Sequence, residues 1–203
     1  MAWEEFAVSG VTESTPTNIL LGAGTLYRNF VFDAEAKKWN GAILGATSGG
    51  NKLSIVPEVL DIEADGVLVK AKGLRHKIGE TATIETNMLE ITGEWIKSVI
   101  IGETGVSADE RFDVIESKAL IEDGDYIENF AFVGFKTNGD PIVVIFDYAI
   151  CTSGLEAEGK NKENSVFPAT FECVADLVAG GNTNKLPYHI YTVKETQQVP
   201  SEE

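Results

Sequence analysis

From Lys52 onward the chain is dominated by strand-like patterning. Leu53, Ile55, Val59, Leu60 and Ile62 form a dense aliphatic run, Asp65-Gly66 punctuates it, and Val67 to Ala71 resumes the alternation, so the two segments read as a hairpin. Pro57 cannot donate to a ladder, which places the first of these strands at a sheet edge or a bulge. Ala82, Ile84, Thr86 and Met88 then alternate with Thr83, Glu85 and Asn87, the pattern of a half-buried strand. The period changes at Trp95, Ile96, Val99 and Ile100, which recur at helical spacing. Thr92 supplies an N-cap and Gly102 a C-terminal stop, so a short helix is predicted there.

Residues 103–125 are polar and acidic, with a short strand expected around Phe112 to Ile115. A hairpin follows: Tyr126 to Phe135, the turn Thr137-Asn138-Gly139-Asp140-Pro141, and the apolar run from Ile142 through Phe146 toward Cys151. Asn-Gly readily takes the positive φ angles of a tight turn. Beyond a Lys- and Glu-rich loop at Glu156 to Asn164, Phe167, Ala169, Phe171, Cys173 and Ala175 share one face of a further strand. These elements predict a mainly β protein with one flanking helix, an antiparallel two-sheet sandwich or barrel built as a single domain over 1–203. Residues 1–18 read as an N-terminal arm and 180–203, ending in Gln-, Pro- and Glu-rich sequence, as a C-terminal arm. The glycine-rich loop Gly45 to Asn51 has little to bury and is expected to serve assembly rather than the core.

Charge narrows the function classes. Sixteen Lys plus Arg face 32 Asp plus Glu, a net −16, so phosphate-grasping nucleic-acid binding is disfavoured, because backbone affinity rests on basic residues that release counterions. The apolar runs fall short of the roughly 20 residues that span a bilayer, and the N-terminus lacks a basic leader region, so no membrane role is expected. Cys151 and Cys173 are too few and too widely spaced for a disulfide framework or a metal motif and read as buried hydrophobes.

Gly22-Ala23-Gly24 and Gly45 to Gly50 lack the Lys-Ser/Thr ending of a P-loop and read as turn glycines. Asp61-x-Glu63-x-Asp65-Gly66 opens like a calcium loop, but Lys72 stands where the closing carboxylate belongs. His76 and His189 have no ligand partners at metal spacing, and no G-x-S-x-G elbow announces a nucleophile. Glu122-Asp123-Asp125 reads as a solvated acidic loop. Trp3, Trp39 and Trp95 read as core or interface residues, not as a sugar platform. No catalytic, cofactor-binding or metal-ligating residue is predicted, and no cofactor.

Four blocks in order resemble the tail-tube proteins (major tail proteins) of long-tailed bacteriophages and their prophage relatives: ILLGAGTLYRNF at 19–30, LGATSGGNKLSIVPEVLDIEADGVLVKAKG at 44–73, ATIETNMLEIT at 82–92 and SVFPATFECVAD at 165–176. The resemblance implies a sandwich-like tube fold with a flanking helix and homo-oligomeric, hexameric rings stacked into a tube. It also implies a lumen through which the genome is ejected, and partners such as the tape-measure and tail-terminator proteins. On that reading the protein is a virion tail component assembled in the bacterial host cytoplasm, with no specific nucleic-acid binding although DNA passes through the lumen. The alternative is a β-sandwich binding or adhesin module of a virion or cell surface. An enzyme on a β-scaffold lacks its nucleophile motif.

Overall fold

The computed structural model describes residues 9–159, 161–177 and 184–194. In chain order its strands are β1 (Leu20–Asp33), β2 (Lys38–Ile43), β3 (Lys52–Asp61), β4 (Arg75–Met88), β5 (Gly102–Gly105), β6 (Val114–Ser117), β7 (Ile127–Lys136), β8 (Pro141–Cys151), β9 (Phe167–Cys173) and β10 (Tyr188–Thr192), with one helix, α1 (Gly93–Ile100), between β4 and β5. The mainly antiparallel β architecture with one helix is as the patterning indicated. Eight strands form one curled sheet in the order β2-β1-β7-β8-β9-β4-β3, with β10 also paired to β8, while β5 and β6 form a separate two-stranded sheet.

The β7–β8 hairpin is the middle of the sheet and the most apolar part of the chain. Its register runs from Ile127↔Ala149 to Phe135↔Pro141, and Gly139 takes the positive φ of +89° that the Asn-Gly turn requires. Because both faces are covered, the two strands read as nearly continuous apolar runs instead of an alternation. On one face Phe130, Phe146 and Phe171 are fully buried with Leu26, Ile84 and Val144. On the other, Ala131, Val133, Val143 and Ile145 pack with Phe30. Burying such side chains contributes roughly 1.5–3 kcal/mol each, so this double layer is the main source of fold stability.

The helix lies over the first face. Thr92 Oγ1 accepts the Trp95 amide at 3.2 Å, the expected N-cap, and Trp95 and Val99 are the buried residues. Trp95 meets Phe171 at 5.9 Å between ring centroids. Its termination differs from the expectation: the left-handed position is Ile101, at φ 53°, whereas Gly102 already begins β5. Glycine at that residue lets β5 lie close to β6, since a Cβ would stand 2.9 Å from the Glu116 carbonyl oxygen.

Three further differences concern strand pairing. Val67 to Ala71 is not the return strand of a hairpin: β3 pairs with β4 from Asp61↔Arg75 to Lys52↔Glu85, and residues 62–74 form a wide connecting tip. The short strand expected at 112–115 lies at β6 and pairs with β5. Within the expected C-terminal arm, Tyr188–Thr192 is β10, hydrogen-bonded to β8 from Tyr188↔Phe146 to Thr192↔Ile142; 180–183 and 195–203 lie outside the described residues. At the N-terminal end, residues 1–8 lie outside the described residues as well. Asn18 accepts from Lys136 Nζ at 3.2 Å, and the Thr137 amide donates to the Ile19 carbonyl at 2.9 Å, so the end of that segment is tied to the β7–β8 turn.

Candidate functional site

An antiparallel sheet whose path has two ends presents two rows of backbone donors and acceptors, and here those ends are β2 and β3. Every residue of β2 is exposed, including Ile43 at 62%. Along β3, Val56, Val59 and Leu60 are exposed apolar side chains on a ten-residue strand. Pro57 sits in β3 opposite Glu80, with a register shift between Glu58 and Val59, so the proline occupies an edge strand beside a bulge, as its missing N–H demands.

An aromatic cluster backs the β2 edge. Trp39 stacks on Phe30 at 5.2 Å and 5°, tilts against Phe32 at 5.2 Å and meets Tyr191 edge-on at 5.2 Å. Phe32, Trp39 and Tyr191 remain 50%, 37% and 44% exposed, so this surface is large, rigid and half wet, the character of an interface anchor. Trp95 by contrast is a core residue, and Trp3 lies outside the described residues.

The glycine motifs serve the backbone. Gly22 and Gly24 take φ of +91° and +70° where the β1–β7 register shifts between Leu21 and Thr25, and a Cβ on Gly24 would lie 2.2 Å from Phe132 Cε2. The 45–51 loop is stitched down: the Ser48 amide donates to Asn87 O, the Leu89 amide to Ala46 O, and Asn51 Nδ2 to the carbonyls of Ala23 and Gly24. That loop therefore links β1 to β4 and belongs to the framework of the fold.

Asp61, the first acid of the calcium-like sequence, is engaged within the chain by Lys70 at 2.8 Å and Arg75 at 2.6 Å, which hold its carboxyl below the ordinary 3.8. His76 is exposed opposite Leu60 in β4, and His189 Nε2 faces Asp147 Oδ1 at 3.2 Å across β10 and β8, a pairing invisible at their sequence separation. The acidic run 122–125 is not simply solvated. Glu122 and Asp125 cap a short 3₁₀ turn reciprocally, and Lys118 closes on both carboxylates at 2.8 Å. Cys151 and Cys173 are free and buried, and burial with Asp147, Glu172 and Glu80 nearby pushes the Cys173 thiol up to about 12. A cleft of about 290 Å³ between 49–52 and 168–170 is open and polar, lined by Lys52, Glu85 and Ser153 among others. Lys52 and Glu85 there neutralise each other at 2.6 Å.

The fold thus defines a curled antiparallel β protein with open edges. No protein-family profile matches the chain, and no curated protein matches it. Among solved structures it is similar to a chain from the virion of a native gene transfer agent particle, with 13% identity and a TM-score of 0.39 over 76% of this chain and 92% of that one.

Proposed function

We propose that this protein is a structural virion component without catalytic activity, a tail-tube subunit that polymerises as stacked rings around a channel for the genome. The observation that carries this reading is the pair of open edges, β2 and β3, at opposite ends of one sheet path. Each presents unpaired backbone groups to a partner strand, and neither has a second strand neighbour among the described residues. A head-to-tail contact that joins β2 of one copy to β3 of the next satisfies both rows at once, and it closes a ring when the rotation per copy divides a full turn. Six copies per ring, the tape-measure and terminator partners, and assembly in the host cytoplasm follow from the resemblance of the four sequence blocks. A net charge of −16 per copy suits a channel to which DNA does not adhere.

The test is the association state of the purified full-length chain. Light scattering over a wide concentration range and negative-stain microscopy are expected to show rings or tubes. A protein that stays monomeric at every concentration and salt overturns the reading.

A further inference from the structure

The hairpin of β3 and β4 is longer than the sheet that carries it. Strand β9 pairs with β4 only from Thr83↔Glu172 to Met88↔Phe167, and β10, which takes over beside β8, pairs with β8 alone. The takeover is direct. The Val174 amide donates to Tyr148 O and the Asp147 amide to Pro187 O, so consecutive residues of β8 are served first by the end of β9 and then by the start of β10. A strand that kept to the sheet would run on beside β10. β4 does not, so its outer stretch, 75–82, has β3 as its one ladder partner among the described residues. Packing agrees: no residue from 56 to 81 is buried, although Val56, Val59, Leu60, Ile62 and Ile78 are apolar, and the row of this hairpin that packs on the core ends at Ile55 and Ala82. A two-stranded ribbon with nothing buried is marginal in water and belongs to the low end of the range of local stabilities.

The ladder is weakest where this arm leaves the core. Pro57, opposite Glu80, brings no N–H, and Gly79, opposite Glu58, brings no side chain. Ile78 is the extra residue of a bulge, because Glu58↔Gly79 is followed by Val59↔Lys77. A polar cluster spans the same point. Glu80 Oε1 accepts from Tyr188 Oη at 3.3 Å and from Lys77 Nζ at 2.8 Å, and the Glu80 side chain is only 9% exposed. Tyr188 stands on β10 and packs against the larger core, so its hydroxyl ties the arm to the body at a place where the two backbones share no ladder.

We infer that the arm 56–81 is a hinged strap, pivoting at Pro57 and Ile78-Gly79 and latched to the body by the hydrogen bond from Tyr188 to Glu80. Latched, it is held against β10. Released, it swings as one ribbon and leaves the facing edges of β4 and β10, which pair with nothing in the described chain, free to take another strand. The device lies within one copy and does not depend on assembly.

The experiment is amide hydrogen exchange on the full chain, read by mass spectrometry for the unaltered protein, Tyr188→Phe and Tyr191→Phe. Tyr188→Phe keeps the ring in the core and removes only the hydroxyl. Tyr191→Phe makes the same change on the same strand, at a ring that meets Trp39 instead of the arm. Peptides from 59–78 are expected to exchange as a block, ahead of those from β7 and β8. In Tyr188→Phe that block is expected to exchange about tenfold faster, as the loss of a hydrogen bond to a charged group implies, with β7 and β8 unmoved. Tyr191→Phe is expected to match the unaltered chain. Arm peptides as well protected as β7 and β8 overturn the strap. Equal arm exchange in Tyr188→Phe and the unaltered chain, or acceleration spread over the whole sheet, overturns the latch. If Tyr188→Phe fails to melt cooperatively by circular dichroism, Lys77→Met, which removes the other donor to Glu80 from the exposed arm, is read against the same outcomes.

Discussion

The ammonium of Lys118 lies 2.8 Å from a carboxylate oxygen of Asp125, and the two side chains keep only 11% and 8% of their surface exposed. Burial alone would raise the Asp125 carboxyl, but Lys118, the Glu122 amide and the more distant Lys97 outweigh it and hold the group below the ordinary 3.8. A carboxylate depressed in the folded state adds stability that is complete above its unfolded value and is lost as pH falls through the folded one. Asp125→Asn is therefore expected to melt at lower temperature than the unaltered chain at pH 7, with the gap closing as pH drops below 3.8. Melting curves from pH 2 to 7 check this, and a gap that stays constant refutes it.

Phe171 is fully buried and touches both Phe130, at 4.7 Å, and Trp95 of the helix. Phe171→Ala removes the ring that joins helix to sheet and leaves a cavity at the centre of the larger core. The expected cost is about 3–5 kcal/mol, read from urea unfolding at constant slope. A loss below about 1 kcal/mol would show that the site collapses freely.

Gly24 combines two constraints, a φ of +70° and a ring 2.2 Å from where a Cβ would stand. Gly24→Ala is expected to destabilise by roughly 1–3 kcal/mol, since Phe132 is itself buried and cannot swing clear. Gly50, with φ +85° and nothing within 4 Å, is the control: Gly50→Ala meets the backbone cost alone and is expected to lose less.

Duplex DNA is expected not to bind. Sixteen surplus negative charges per copy oppose phosphate approach within a Debye length of about 8 Å at physiological salt. Fluorescence anisotropy at low salt checks this, and tight, salt-sensitive binding would contradict a non-adhesive channel.

The parts of the fold legible in the sequence are those whose signal is local. The β7–β8 hairpin is written in the Asn138-Gly139 turn, the helix in Thr92, Trp95 and Val99, and β9 in the alternation from Phe167 to Cys173. Val67 and Val69 alternate as well as any strand, yet they have no sheet neighbour, because the ladder closes at Asp61↔Arg75 and leaves them outside it. Strands β1 and β2 escape the periodicity because Gly22, Gly24 and a register shift break their alternation. β10 looks like an arm because its place is fixed by a β8 edge more than 40 residues earlier in the chain. The candidate site suffered the same limit: edge status belongs to the sheet order, and of its residues only Pro57 announced it.

The sheet order also constrains how the chain is made. Among the described residues, β9 is the strand that pairs with both β8 and β4, and it spans residues 167–173 of a 203-residue chain. Until it leaves the ribosome, β2-β1-β7-β8 and β4-β3 share no ladder, are linked through the 45–51 loop, and leave the facing edges of β8 and β4 open. The β3–β4 half, tied to β1 through the 45–51 loop, then lacks its β9 neighbour through the synthesis of some 80 further residues, about 4–16 s at cellular rates. A late closing strand makes folding slow through its non-local pairing and exposes sticky edges in the interval. A net charge of −16 acts against mispairing in this interval at close range, since like-charged chains repel once within a Debye length of about 8 Å.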